Sequence, residues 1–390
     1  MVIPFRYSWQ SLWARRTTTF ATALGIALVV FVLASSMMLV AGLRTTLLRS
    51  GSPSRVVVLQ HDSYSEGWSR VRQAALSLVA AAPGIKKDGG GNPLVSGEVV
   101  AHIYLPTSRD PEKNASLQVR GVTARAFALR PNVRVVAGRA ALPGTDEAII
   151  GRNIVGHFEG GVLGGSIALR KKRHIRIVGV FEADSSAYDS EVWADIDTVR
   201  TSFNFQGYLS SVTAELESPR AFDGVRATLE ADKQQGLEVE RERDYYLKIS
   251  EDLSSVIAAL GGIVTVIFSF GALLGAMITM HGAVSQRSRE IGVLRALGFG
   301  RPQVLLAFVI EAAALALLGG AFGCLLALST TLVDFSAMNE ATGQELKFRF
   351  APGPALLGVS LLAGTLVGVF GGLLPAIKAA RVDPVRAMRA

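Results

Sequence analysis

The chain has a single cysteine, Cys324, among 390 residues. It can form no internal disulfide, so any domain standing outside a membrane must be held by its own apolar core. Its five histidines, His61, His102, His157, His174 and His281, are scattered. No H-x-x-x-H pair or neighbouring carboxylate at ligand spacing accompanies them, which argues against a metal centre. A G-x-S-x-G nucleophile turn is missing. So is a G-x-x-x-x-G-K-[ST] loop: the nearest glycine-rich run, Gly160 to Ser166, has no lysine at the required place and cannot cradle the phosphates of ATP. The expectation is a chain that binds no cofactor or metal and is not itself an enzyme.

Charge is also missing, but only locally. Thr17 to Leu43, Leu253 to Gln286, Pro302 to Val333 (broken only by Glu311) and Phe350 to Ile377 are otherwise free of Lys, Arg, Asp and Glu. Each exceeds the roughly 20 apolar residues that a helix needs to cross about 30 Å of hydrocarbon. Lipid tolerates no exposed backbone polar groups, so the runs read as helices. The first is too long for a signal-peptide core and has no clear A-x-A cleavage site, which makes it a retained anchor. The expected fold class is therefore a membrane protein with four transmembrane α-helices and a large α+β domain between helices 1 and 2.

The net charge of +8 lies where topology needs it. Arg6, Arg15 and Arg16 precede the first span; Arg287, Arg289, Arg295 and Arg301 against Glu290 separate the second and third; Lys378, Arg381, Arg386 and Arg389 against Asp383 follow the fourth. Each segment sums to +3. Residues 44–252, by contrast, hold 27 basic and 26 acidic side chains. The positive-inside rule places both termini in the cytoplasm and the large domain outside, so the basic balance calls for no nucleic-acid partner. The division is then 1–16, an amphipathic helix at the inner interface carrying Phe5, Trp9, Leu12 and Trp13; 17–43, first span; 44–252, outer domain; 253–284, second span; 285–302, cytoplasmic loop; 303–331, third span; 332–351, outer loop; 352–377, fourth span; and 378–390, cytoplasmic tail.

Strand-like and helix-like segments alternate through the outer domain. Arg55 to Gln60, Val99 to Leu105, Leu117 to Val122, Arg134 to Ala137 and Leu209 to Leu216 read as strands. Ser65 is a candidate cap for a helix carrying Trp68, Val71, Ala75, Leu78 and Val79, and a second helix is expected over Arg220 to Ala231. Ile167 to Leu169 and Ile175 to Val180 flank a basic hairpin tip, Arg170 to His174. Loops at Gly89 to Gly91 and Pro131 to Asn132 suggest two lobes.

Within the spans, Gly271 and Gly275, Gly319 and Gly323, and Gly364 and Gly368 (with Gly372) form small-xxx-small pairs that admit a close helix neighbour, either within the chain or across a dimer. Glu311 is the one acid inside a span, and a pairing with a cytoplasmic-side arginine fits it better than a proton-carrying role. So little polar lining suits helices that transmit motion rather than conduct cargo.

The most specific segment is Ser285-Gln-Arg-Ser-Arg-Glu290-Ile-Gly-Val-Leu-Arg295-Ala-Leu-Gly298. It reads as a short amphipathic helix, an exposed peg for a groove in a cytoplasmic partner. This segment closely resembles the signature of FtsX-like, or MacB-type, ABC transporter permeases, as does the tail from Leu374 to Arg389. Gly138-Arg139, Asp146 to Gly151 and Ile177 to Glu182 are similar to that family's periplasmic core domain, and the order of one span, a large domain and three spans also matches.

The resemblance implies a homodimer or paired permease in the bacterial inner membrane, each copy bound to a separate ABC ATPase that carries ATP and Mg. Residues Gln286, Arg287, Arg289, Glu290, Ile291, Gly292, Leu294, Arg295, Leu297 and Gly298 are then the ATPase-coupling set. In it Arg289, Glu290 and Arg295 make polar contacts, and Ile291 and Leu294 form the apolar peg. It further implies a MacA-like periplasmic adaptor, an outer-membrane channel and membrane lipid as partners. The implied function is export of drugs, peptides, lipids or lipoproteins by mechanotransmission; the alternative is an FtsX-like signalling scaffold that activates cell-wall hydrolases. The departure from MacB is the lack of a fused ATPase.

Overall fold

The structure, a computed structural model, describes residues 16–170, 173–339 and 344–381. The interfacial helix expected before residue 16, Lys171 and Lys172 of the basic tip, and the tail from residue 382 lie outside them. The described residues form two compact units, a helical one within 16–41, 255–333 and 350–381 and an α/β one within 42–254 and 334–349.

The chain enters on α1 (Arg16–Ser50), which runs past its apolar stretch into the α/β unit. There follow β1 (Arg55–Gln60), β2 (Val71–Arg72), α2 (Ala75–Ala81), β3 (Val95–Pro106), β4 (Asn114–Val122), α3 (Arg125–Leu129), β5 (Arg134–Gly138), β6 (Glu147–Gly151), β7 (Ser166–Ala168), β8 (His174–Glu182), β9 (Glu191–Asp195), α4 (Ile196–Phe203), β10 (Tyr208–Leu209), β11 (Ser211–Glu215), α5 (Phe222–Glu230) and β12 (Leu237–Arg241). One sheet has the order β12-β1-β11-β3-β4-β9-β6-β8-β5, with β7 also on β8. Long antiparallel pairing of β3 with β4, from Val99 opposite Gly121 to Pro106 opposite Asn114, forms its middle.

Strand alternation assigns the two faces. Val95, Val99, Ala101 and Ile103 of β3 join Leu117 and Val119 of β4 and Val192 and Ala194 of β9 in an apolar core closed by Ala75 and Val79 of α2, Val199 of α4 and Val225 and Leu229 of α5. The opposite parity carries Ser96, Glu98, Gln118, Arg120, Glu191 and Trp193, all buried. Helix α4 begins where the Asp195 carboxylate accepts from the N–H groups of Asp197 and Thr198, and it stops at Asn204, in the left-handed region at φ 61°.

Two expectations are corrected. The helix placed from Ser65 starts instead at Ala75: residues 64–69 form turns because the Glu66 side chain is drawn inward onto buried Arg120. The loops at Gly89 to Gly91 and Pro131 to Asn132 do not divide the domain into lobes, since one sheet and one core run past both.

The chain continues with α6 (Glu242–Gln286), α7 (Ser288–Ala296), α8 (Arg301–Ser329), β13 (Asp334–Asn339), β14 (Gln344–Arg349) and α9 (Pro354–Ala380). Helices α1, α6, α8 and α9 are each long and apolar enough to span a bilayer. The stretch between α8 and α9, expected as a plain loop, forms an antiparallel pair, β13 with β14, and belongs to the α/β unit. Leu346 is buried there, and the Lys347 N–H donates to Ser190 Oγ at 3.3 Å.

Glycine sets the spacing in the helical unit. A methyl at Gly319 or Gly323 of α8 would strike the carbonyl oxygen of Ala23 or Ala27 on α1. Gly364 and Gly368 of α9 meet Val30 and Ala316, and Gly372 meets Ala312. These pairs therefore serve packing within the chain. Gly271 and Gly275 of α6 are different: an added methyl at either finds nothing within 4 Å.

Asp189 gives the α/β unit a defined pH response. Burial raises its carboxyl from the usual 3.8 to about 6, against the Ala183 N–H that donates to it at 2.7 Å. The folded state thus holds a proton that the unfolded state has released, so this contribution is full below about pH 4 and lost as pH rises through about 6. Asp189→Asn keeps the acceptor oxygen and is expected to flatten the thermal stability profile between those limits; an unchanged slope would exclude Asp189 as its source.

Candidate functional site

The short helix between α6 and α8 is held from three sides. Helix α6 ends at Gln286, Arg287 caps the next turn, and α7 runs to Ala296. Gly298 then turns the chain at φ 94°, a conformation that side-chain-bearing residues rarely adopt. Helix α8 starts three residues later, with Gln303 Oε1 accepting from the Gly300 N–H and Pro302 in the first turn.

Ile291 is 3% exposed and packs with Met280 and Val284 of α6, Val304, Phe308 and Ala312 of α8, and Ala376 and Ala379 of α9. Burying such a side chain is worth about 1.5–3 kcal/mol. Arg295 Nη1 donates to the Ala380 carbonyl at 2.8 Å, satisfying the end of α9 with a cation where the helix dipole favours one. Arg287 Nη1 lies 3.5 Å from Glu311 Oε2, with both side chains largely buried.

The expected peg is accordingly corrected. Ile291 points into the chain's own packing together with buried Gly292, and Leu294 and Arg295 are half-buried. Gln286, Arg289, Glu290, Leu297 and Gly298 are exposed, and so is Val293, which sequence reasoning passed over. Leu297 is 73% exposed, so the apolar point of the surface is Leu297 beside Val293. Period 3.6 puts Glu290, Val293 and Leu297 on one face, at i, i+3 and i+7, but it does not say which face is left outside. No nucleophile or acid–base pair lies on this patch; what it offers is an exposed surface on a helix that three neighbours hold in place.

A second constellation escaped the sequence entirely. On the polar face of the sheet Arg120 donates from Nε to Glu191 Oε2 at 2.8 Å, from Nη1 to Glu98 Oε2 at 2.7 Å and from Nη2 to Glu66 Oε2 at 3.0 Å. Arg130 reaches Glu98 at 2.5 Å and Glu242, the first residue of α6, at 3.6 Å. Arg55 holds the same Glu242 at 2.5 Å. Gln118 and Trp193 also donate to Glu191, Ser211 to Glu66 and Tyr188 to Glu242. All seven charged groups are nearly inaccessible to water.

Burial disfavours charge on Arg120, yet Glu191 and Glu66 outweigh it and hold the guanidinium well above its ordinary pKa; Arg130 behaves alike beside Glu98. Four glutamates face three arginines. Burial raises the Glu191 carboxyl despite Arg120, whereas Arg120 and Ser211 overcome burial at Glu66 and lower it. The network also fixes the helix ends inside the α/β unit. The Ser52 N–H donates to Glu242 Oε2 at 3.0 Å, the Ala187 N–H donates to Ser50 Oγ at 2.8 Å, and a methyl on Gly51 would collide with the backbone of Glu242 and Arg243.

Comparison with known proteins covers both parts of the chain. The family model for the MacB-like periplasmic core domain matches residues 19–232, and that for the FtsX-like permease C-terminal region matches residues 262–384. The macrolide export ATP-binding/permease protein MacB of Escherichia coli is 30% identical over 235 residues in both strain O157:H7 and strain K12, covering 57% of this chain and 35% of the relative. The chain thus spans about a third of the length of these curated relatives. The periplasmic region of MacB from Actinobacillus actinomycetemcomitans aligns with 52% of this chain and 95% of its own at 13% identity and a TM-score of 0.38. With one family model covering more than half the chain, a second running from the middle of α6 through α9, and four helices fit to span a bilayer, this multi-pass membrane protein belongs to the MacB/FtsX-like family of ABC transporter permeases.

Proposed function

We propose that the chain is the permease subunit of a bacterial inner-membrane ABC exporter driven by an ATPase on a separate polypeptide, with both termini of the chain cytoplasmic. ATP and Mg reside on that partner, which grips α7. Movement of α7 passes into α6, and α1 and α6, each continuous from the helical unit into the α/β unit, deliver it to the periplasmic domain. Two copies pair along the open face of α6. The cargo belongs to the classes of drugs, peptides, lipids or lipoproteins; the macrolide export named for the Escherichia coli relatives falls within them.

One observation carries this reading. Helix α7 is anchored by Ile291, Arg295 and the Arg287–Glu311 pair to α6, α8 and α9 at once, while Arg289, Glu290, Val293 and Leu297 stay outside. A helix so seated cannot tilt without moving its neighbours. Combining Arg289→Glu, Glu290→Arg and Leu297→Asp leaves those anchors intact and is expected to abolish co-purification of the ATPase and its permease-stimulated turnover. Retention of both would refute α7 as the coupling element. Ile291→Asp is the wrong probe, because it places a charge in the packing beneath.

A further inference from the structure

On the α/β unit a cleft of about 280 Å³ opens beside the polar face of the sheet. Its walls are Trp68, Arg70, Tyr104, Arg170, Phe203 and Phe205, with His102 lining it from β3. Trp68 is 67% and Tyr104 61% exposed, an unusual cost for rings of that size unless something covers them. The Arg70 guanidinium lies 4.0 Å over the buried ring of Phe205 and is steadied by the carbonyls of Ser69 and Gly67 at 2.8 and 3.3 Å. Arg170 stands 5.6 Å over Phe203. Arg70 is thereby set in place, and Arg170 lies within cation–π range of its ring.

The charge is one-sided. No carboxylate lines the cleft, and neither Arg70 nor Arg170 has an acidic partner among the described residues. Burial pulls the Arg70 pKa down, as it does for a cation short of a counter-charge. We propose that this cleft is a binding site for an aromatic or apolar ring bearing a single anionic group, the ring lying between Trp68 and Tyr104 and the anion shared by Arg70 and Arg170. Its volume falls just under the roughly 300 Å³ at which drug-sized sites begin, so the occupant is one ring with its acid, either a small arylcarboxylate or the C-terminal residue of a peptide.

The site also has a route inward. His102 Nε2 is 3.1 Å from Gln118 Oε1, Gln118 Nε2 donates to Glu191 Oε1 at 2.6 Å, and Glu191 is held by Arg120. Burial keeps His102 below its ordinary pKa, and Gln118 donates to a carboxylate through its NH₂, so the imidazole donates from Nε2 to the amide oxygen. A ligand on the cleft wall thus lies one hydrogen-bonded chain from the arginine that organises the buried network. None of this depends on the coupling role of α7.

The test uses the full chain in neutral phosphatidylcholine nanodiscs and fluorine NMR of 4-fluorophenylacetate, with 4-fluorobenzyl alcohol as the uncharged counterpart. The anion is expected to bind saturably and about tenfold more tightly than the alcohol, from a hydrogen bond to a charged group. Arg70→Gln with Arg170→Gln should erase that preference, while Trp68→Ala should weaken both probes. Equal affinity for the two probes, or a preference that survives loss of both arginines, overturns the proposal. Comparing N-acetyl-Ala-Phe with its C-terminal amide separates the sources: a peptide acid that binds more tightly than the arylacetate marks a peptide terminus, and the reverse marks a small molecule. Absent probe binding, with Trp68 emission responding instead to added phosphatidylglycerol, would give the patch to the lipid surface and refute the site.

Discussion

Replacing Arg120 by methionine is expected to destabilise the protein by about 3–5 kcal/mol, the cost of leaving buried charges without their partner. The side chain is 1% exposed and touches Glu66, Glu98 and Glu191 at once, so its loss strands two carboxylates, Glu66 and Glu191, and weakens the hold on a third. Arg130 still holds Glu98, but among the described residues no other cation forms an ion pair with Glu66 or Glu191. The variant should therefore regain stability in acid, where those carboxyls take up protons and no longer need a counter-charge. Thermal unfolding of wild type and Arg120→Met, followed in the same detergent at pH 7.5 and pH 5, tests this directly. A variant that melts with the wild type at pH 7.5, or that gains nothing on acidification, would show that the buried ion network does not hold the domain.

The second large effect contrasts two glycine pairs that look alike in sequence. Leucine at Gly319 and Gly323 is expected to force α8 away from α1, because even a methyl there meets backbone carbonyl oxygen that cannot move aside. Overpacking of this kind costs about 1–3 kcal/mol per site, so little folded protein should survive extraction. Leucine at Gly271 and Gly275 meets open space and should leave the monomer folded with an unchanged melting point. Its consequence should appear between copies. Only 6% of the apolar window of α6 is buried, against 28% to 44% for the other three spans, and Leu260, Ile263, Ile267, Phe270, Leu274 and Ile278 make an exposed stripe along it. Size-exclusion with light scattering should show the dimer fraction of Gly271→Leu/Gly275→Leu falling sharply. An intact dimer would remove α6 as the seam, and an unfolded one would show that the space around these glycines is needed within the chain.

The spans were legible because the signal is composition alone: a run such as Thr17 to Leu43 without a formal charge has few soluble uses. Strands β1, β3 and β4 were legible for a related reason, since β-branched runs and period-2 alternation are local, whereas the pairing of β3 with β4 came only with the fold. Helix ends were less so. Helix α6 begins at Glu242, well before its apolar window, because Glu242, Tyr245 and Tyr246 are held by the domain rather than by lipid. On α7 the register was readable, but which of its apolar residues faced outward was not, since Ile291 and Leu297 differ only in what α6, α8 and α9 place beneath them.

From its residues alone this chain declared four membrane helices, a charge-balanced domain after the first, and the short basic helix that carries its family resemblance. All three are properties of composition and of order along the chain, and need no contact between distant residues. Tertiary structure alone decided the rest: that Glu66, Glu98, Arg120, Glu191 and Glu242 meet in one buried network, and that some glycine pairs are filled while another stays open. A charge in a strand reads the same whether water or a distant arginine neutralises it. Only closure of the fold, which removes water and brings remote groups within 3 Å, tells them apart.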